Sequence, residues 1–237
     1  MGVTPRWQAS PNVGDRRGGA RPDIVVLHHT AMNTAEAALQ RLCDPGPPGD
    51  LSPVSCHYLI AEDGRLWQMV REDARAWHAG AGQWGDVVDV NSRSIGVELA
   101  NPSSHPFPEP QMQVLEALLA EVLARWSIPP ERVIGHSDMA PLRKVDPGPR
   151  FDWRRLARLG LSVWPDIAPV DPGDGADPSA LTADLRRFGY RIPQGATEEA
   201  VLGAFRLRFN PAGRGGPTAR EAALARALAT RFPAAEG

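Results

Sequence analysis

The chain is poor in cysteine and histidine, with two and six residues, and no uncharged apolar run approaches the roughly 18 residues that cross a bilayer. Cys43 and Cys56 belong to no metal-binding or redox motif, which leaves two ordinary reduced thiols. Neither sign of charge dominates: 26 basic residues face 28 acidic ones, for a net charge of −2. A whole-chain affinity for nucleic acid or an anionic membrane surface is thereby excluded. The amino terminus, MGVTPRWQASPNVGDRRGGARPD, lacks the apolar stretch of a secretory signal. It also carries Arg6 where a myristoylation motif after Gly2 needs Ser or Thr. These absences predict a cytoplasmic protein, with the periplasm as the alternative for a chain whose signal peptide has been removed.

What is present is 42% apolar residues, enough for one full core and a small second one. Glycine (23) and proline (24) make up about a fifth of the chain and predict a loop-rich globular protein. Residues 1–20 read as an extended arm, and DIVVLHH reads as a buried strand. Thr34 caps a helix through Leu42, and SCHYLIAEDGRLWQMV reads as a hairpin around Asp63-Gly64. SIGVELA is a further strand. Met112, Leu115, Leu118, Leu119, Val122, Leu123 and Trp126 share one face of a helix. RVIGH is a short strand, and Ser137 to Phe151 a loop.

Alternation of strands and helices predicts an α/β fold, a mixed central β-sheet flanked by helices, over residues 21–167. Residues 168–178 have linker composition. Helical segments near 179–188, 197–208 and 217–231 then form a small three-helix module over 179–237. Residues 180–237 hold nine arginines against five acids, so a module of charge +4 follows a part of charge −6.

His28 ends the first strand and His136 the late one, and the loop after His136 supplies Lys144 and Asp146. Strand ends gather side chains at one rim of a sheet, where groups distant in sequence converge. Two imidazoles and a carboxylate form a zinc set that leaves a fourth position open for water, as catalytic zinc requires. Glu98 is a carboxylate inside an apolar strand and needs a partner or a task. Lys144 stands close enough to Asp146 to face a substrate oxygen. His29 points away from its neighbour, because adjacent strand residues face opposite sides. Taken singly, a strand-end histidine is more often a hydrogen-bonded core residue.

LHHTA, SCHYLI, AWHAG, NSRSIGVELAN and GHSDMAPLRKVDPGPRFDW, in this order and spacing, resemble the zinc-dependent N-acetylmuramoyl-L-alanine amidases of the type 2 amidase family, relatives of phage lysozyme-like amidases and peptidoglycan recognition proteins. The resemblance covers residues 21–160. It implies Zn2+ on His28, His136 and Asp146, with Glu98 as the catalytic glutamate and Lys144 assisting. It further implies hydrolysis of the amide between the lactyl group of N-acetylmuramic acid and L-alanine, in peptidoglycan or in anhydro-muropeptides recycled from it. It places the His78 segment at the cleft wall with Trp77 and Trp84 as platforms for sugar or peptide, His78 itself either facing the substrate or tying down a loop. Asn101, after the catalytic strand, reads as a donor to a substrate carbonyl or, more simply, as a turn-former. The partners implied are peptidoglycan fragments. A non-catalytic peptidoglycan-recognition module is the alternative, and a cut within the stem peptide is another. Beyond the linker, LTADLRRFGYRIPQGATEEAVLGAFRLRF is similar to a three-helix peptidoglycan-binding module, with Phe205-Arg206 where that module has Phe-Gln. A bundle that only packs on the amidase domain is its alternative.

Overall fold

The computed structural model describes residues 3–171 and 175–234. The first two residues of the expected arm, the middle of the expected linker (172–174) and the last three residues of the expected module lie outside the described residues. Strand formation begins in the arm, with β1 (Arg6–Trp7) and β2 (Val13–Gly14). The β-branched run then gives β3 (Ile24–His29), buried from Ile24 through His28. Thr34 caps α1 (Ala35–Leu42), its Oγ1 accepting from the Ala37 N–H. The hairpin is β4 (Tyr58–Ile60) and β5 (Leu66–Gln68), and Gly64 takes the positive φ of 87° that its turn requires.

After β6 (Arg75–Ala76) and the single turn α2 (Val90–Arg93) comes β7 (Ser94–Leu99), followed by α3 (Glu109–Trp126) and β8 (Val133–Gly135). His136, expected at a strand end, instead opens the short helix α4 (His136–Met139) within the expected loop. Then follow α5 (Trp153–Arg158), α6 (Pro178–Phe188), α7 (Glu198–Phe209) and α8 (Ala219–Arg231).

The main sheet is mixed, in the order β1-β5-β4-β7-β3-β8. β3 runs parallel to both β7 and β8, and the hairpin pair β4 and β5 is antiparallel. The arm is thus more than extended: β1 adds an edge strand along β5. Buried Arg16 strengthens its attachment by donating to the carbonyls of Glu72, Ser92 and Ser94.

Alternation along the strands divides the core. Val25 and Leu27 of β3, with their neighbours Ile95 and Val97 of β7, face the apolar side of α3. Ile24 and Val26, with Ile134 of β8, face the other way and share one apolar cluster with Leu185, Phe188, Tyr190, Phe205 and Phe209 of the C-terminal part. α1 covers the same face farther along, over Leu59. His28 lies beyond Val26 on this second face, where the sheet emerges between the two covers.

Candidate metal centre and cleft

The parallel register sets His28 directly beside Glu98, so both side chains leave the sheet on one side. α4 brings His136 to them from the end of β8, and the following loop returns Asp146. A cleft of about 410 Å³ opens over these residues. Lys144, the sole lysine of the chain, lines it, as do Arg41, His78, Arg143 and Val145.

Three atoms form a nearly equilateral triangle. His28 Nδ1 lies 2.9 Å from His136 Nδ1 and 3.0 Å from Asp146 Oδ2, and His136 Nδ1 lies 3.1 Å from the same oxygen. Hydrogen bonding elsewhere determines what these atoms carry. His136 Nε2 sits 2.9 Å from the Ala79 carbonyl, which only accepts, so the proton is on Nε2 and a neutral ring presents a lone pair at Nδ1.

For His28 the same reasoning runs through three residues. The Ser94 hydroxyl donates to the Val90 carbonyl at 2.5 Å and therefore accepts from His78 Nε2 at 3.2 Å. His78 Nδ1 then accepts from His28 Nε2 at 3.0 Å, leaving a lone pair on His28 Nδ1 as well. Burial, reinforced by neighbouring His136, holds His28 down at about 4, and burial beside His28 holds His78 well below the usual imidazole range.

Two lone pairs and a carboxylate oxygen converging in a buried site repel one another unless a cation lies among them. The donor set suits zinc, whose bonds of about 2.0–2.2 Å to nitrogen and oxygen correspond to ligand separations slightly above 3 Å. His28, His136 and Asp146 thus form a site able to hold a metal ion. His29 lines the cleft but is outside this group, its Nδ1 accepting from the Ala31 N–H.

Glu98 faces the same cleft, and its Oε2 is sealed from solvent without a hydrogen-bond partner. Burial, and then the charge of Asp146, push its pKa up to about 8. A group that exchanges its proton near neutral pH is suited to proton transfer in either direction.

His78 lines the cleft wall, yet both its ring nitrogens are engaged by His28 and Ser94. Its position depends on a missing side chain: a Cβ on Gly96 would come within 2.5 Å of the imidazole. The structure does not bring two expected ligand contacts, Trp84 and Asn101, into the cleft lining. Trp84 is 2% exposed and packs edge-on to Phe188 and Tyr190, so the interior claims the ring faces expected to receive a substrate. Asn101 is fully buried outside the cleft lining, where its side chain organises the turn to Ser103 and the His105 carbonyl. Trp77 is half-buried near Gly14 of the arm and also lies outside the lining.

Sequence reasoning missed Arg41 and Arg143. Arg143 is held by the carbonyls of Ala79 and Ala81, while Arg41 donates to the Ser52 carbonyl and keeps a second terminal nitrogen sealed without a partner. Arg41 lies on a predicted amphipathic helix, where a single arginine reads as solvated surface. The lining role becomes visible only when the loop over 44–53 folds back.

A family model described as N-acetylmuramoyl-L-alanine amidase matches residues 18–149. The N-acetylmuramoyl-L-alanine amidase AmiD of Escherichia coli is 34% identical over 239 residues, covering 90% of this chain and 84% of the relative. The 1,6-anhydro-N-acetylmuramyl-L-alanine amidase AmpD of the same organism is 41% identical over 169 residues, covering 66% and 92%. The solved structure of E. coli AmiD with its substrate anhydro-N-acetylmuramic acid-L-Ala-D-gamma-Glu-L-Lys superposes with a TM-score of 0.80 at 33% identity, covering 93% of this chain and 98% of that one. That of AmpDh3 from Pseudomonas aeruginosa with anhydromuramic pentapeptide gives 0.76 at 27% identity, covering 96% of each.

Proposed function

We propose, from the premise that the chain belongs to the N-acetylmuramoyl-L-alanine amidase family, that it hydrolyses the amide between the lactyl group of anhydro-N-acetylmuramic acid and L-alanine in cell-wall recycling. The observation that carries this reading is the convergence of three lone pairs able to ligate a metal with the Glu98 carboxyl, whose Oε2 is sealed from solvent without a partner, in one cleft. Relatives solved with anhydro-muropeptides support the substrate class.

In this reading His28, His136 and Asp146 hold zinc. Bound there, zinc supplies Lewis acidity and lowers the pKa of a water towards about 7. Glu98 takes a proton from the attacking water at Oε2. The water oxygen forms a bond to the lactyl carbonyl carbon, and the Lys144 ammonium faces the oxyanion that develops. As the carbon–nitrogen bond breaks, Glu98 returns its proton to the alanine nitrogen, and the second proton of the water passes from the new carboxylic acid to the released amine, leaving a lactyl carboxylate and an ammonium. His78 contributes by fixing the His28 ring in the tautomer that offers Nδ1.

Dialysis against a chelator abolishes turnover on this account and zinc restores it, while Asp146→Ala loses the metal. Retention of full zinc content by Asp146→Ala counts against the ligand set. The unpaired thiols of Cys43 and Cys56 support a reducing, cytoplasmic setting. Faster turnover of soluble anhydro-muropeptide than of intact sacculi is the corresponding expectation, and the reverse order would favour the periplasm. Among the described residues no helix is long and apolar enough to cross a membrane.

A further inference from the structure

The C-terminal helices reach the helix that carries His136. α4 has four residues, too few to hold a helical direction without outside support. Its third residue, Asp138, is 1% exposed and divides its oxygens between two kinds of partner. Oδ2 accepts from the Gly135 N–H at 2.8 Å, which caps α4 locally, and from Arg208 Nη1 of α7 at 3.0 Å. Oδ1 accepts from the Tyr190 hydroxyl at 2.5 Å.

Arg208 and Tyr190 are themselves 2% and 0% exposed. Arg208 is fixed by Ser162 Oγ at 3.1 Å and by the Trp153 ring, 4.2 Å below its guanidinium. The Tyr190 ring packs against Trp84 and Phe205. A buried carboxylate thus has a charged partner and a hydroxyl from the C-terminal part, and it stands two residues from His136. Because these partners are rigidly packed, they set where α4 lies and hence where His136 Nδ1 points.

We infer that the C-terminal helices brace the metal centre: Arg208 and Tyr190, acting through Asp138, are positioning residues for His136. This assigns the C-terminal part a role in metal binding in addition to any contact it makes with the cell wall. The inference rests on reading His28, His136 and Asp146 as the zinc site.

Its test uses the full chain with Tyr190→Phe, Arg208→Gln and, as a control, Arg191→Ala. The control breaks the ion pair of Arg191 with Asp86 at the same junction without touching Asp138. Zinc affinity is measured by competition with a chromophoric chelator, alongside the melting temperature of each metal-free protein. Tyr190→Phe keeps the ring packing and removes one hydrogen bond, so affinity falls about threefold to tenfold. Arg208→Gln loses about tenfold or more. Arg191→Ala binds as the parent does.

Variants that melt earlier yet bind zinc like the parent would reduce the contact to a structural one and overturn the inference. So would an equal loss of affinity in Arg191→Ala. A parent chain without zinc affinity would overturn the proposed function and this inference together, whereas a zinc-binding parent with unaffected variants overturns this inference alone.

Discussion

His28 and Glu98 are register partners across the parallel strands β3 and β7, so an imidazole able to ligate a metal and a half-buried carboxyl leave the sheet side by side. Because both sit in regular strands rather than loops, their separation is fixed by the sheet itself. Substituting Glu98 therefore removes a chemical group without moving the ligands. Glu98→Gln lowers kcat by about 10²–10⁴ and keeps its zinc, as measured by turnover on a muropeptide and by metal analysis.

The same carboxyl gives a pH signature in the metal-free protein. Its folded pKa is about 8 against an ordinary 4.5, so between these values the folded chain holds a proton that the unfolded chain releases. Stability from this group is full below pH 4.5 and is lost as pH rises through 8. Glu98→Gln has no proton to lose. Its melting temperature relative to the parent, both metal-free, rises from pH 5 to pH 9, and a difference independent of pH would refute the burial argument.

Gly96 and His78 form a lock. Gly96→Ala places a methyl where the imidazole now lies, and the ring must leave His28. Gly96→Ala and His78→Ala both weaken zinc binding by about 10–100-fold, the usual cost of losing a partner behind a metal-ligating histidine. Chelator competition measures it, and parental affinity in both variants would remove His78 from the account.

Trp84 distinguishes a platform from a core residue. Trp84→Ala costs about 3–5 kcal/mol of stability, seen as a fall in melting temperature of about 2–4 °C per kcal/mol for a chain of this size. The Michaelis constant of the folded fraction stays at the parental value. A selective rise in that constant without destabilisation would restore Trp84 as a substrate contact.

Much of this architecture was legible in the residues. The apolar β-branched run of β3, the Asp63-Gly64 turn, the Thr34 cap and the one-sided face of α3 are local signals, and the elements formed where local physics directed. Glu98 stood out as a carboxylate inside an apolar strand and His28 as a strand-end imidazole, but grouping them with His136 and Asp146 leaned on the resemblance of five segments to a known family, because His136 sits on a helix and Asp146 in a loop. What escaped depended on partners distant in sequence. Trp84 looks like an exposed loop aromatic until Phe188 and Tyr190 cover it, and Asp138 looks like a loop acid until Arg208, 70 residues later, meets it. Arg16 gives no periodic signal at all, since its partners are backbone carbonyls brought together only by the finished fold.

The central claim is that this cleft cuts one particular bond. Incubation of the zinc-loaded protein with a soluble anhydro-muropeptide, followed by mass spectrometry of the products, tests it most directly. The account predicts free anhydro-N-acetylmuramic acid together with an intact stem peptide bearing a new amino terminus at L-alanine. Fragments cut within the stem, or substrate bound but left whole, would contradict it.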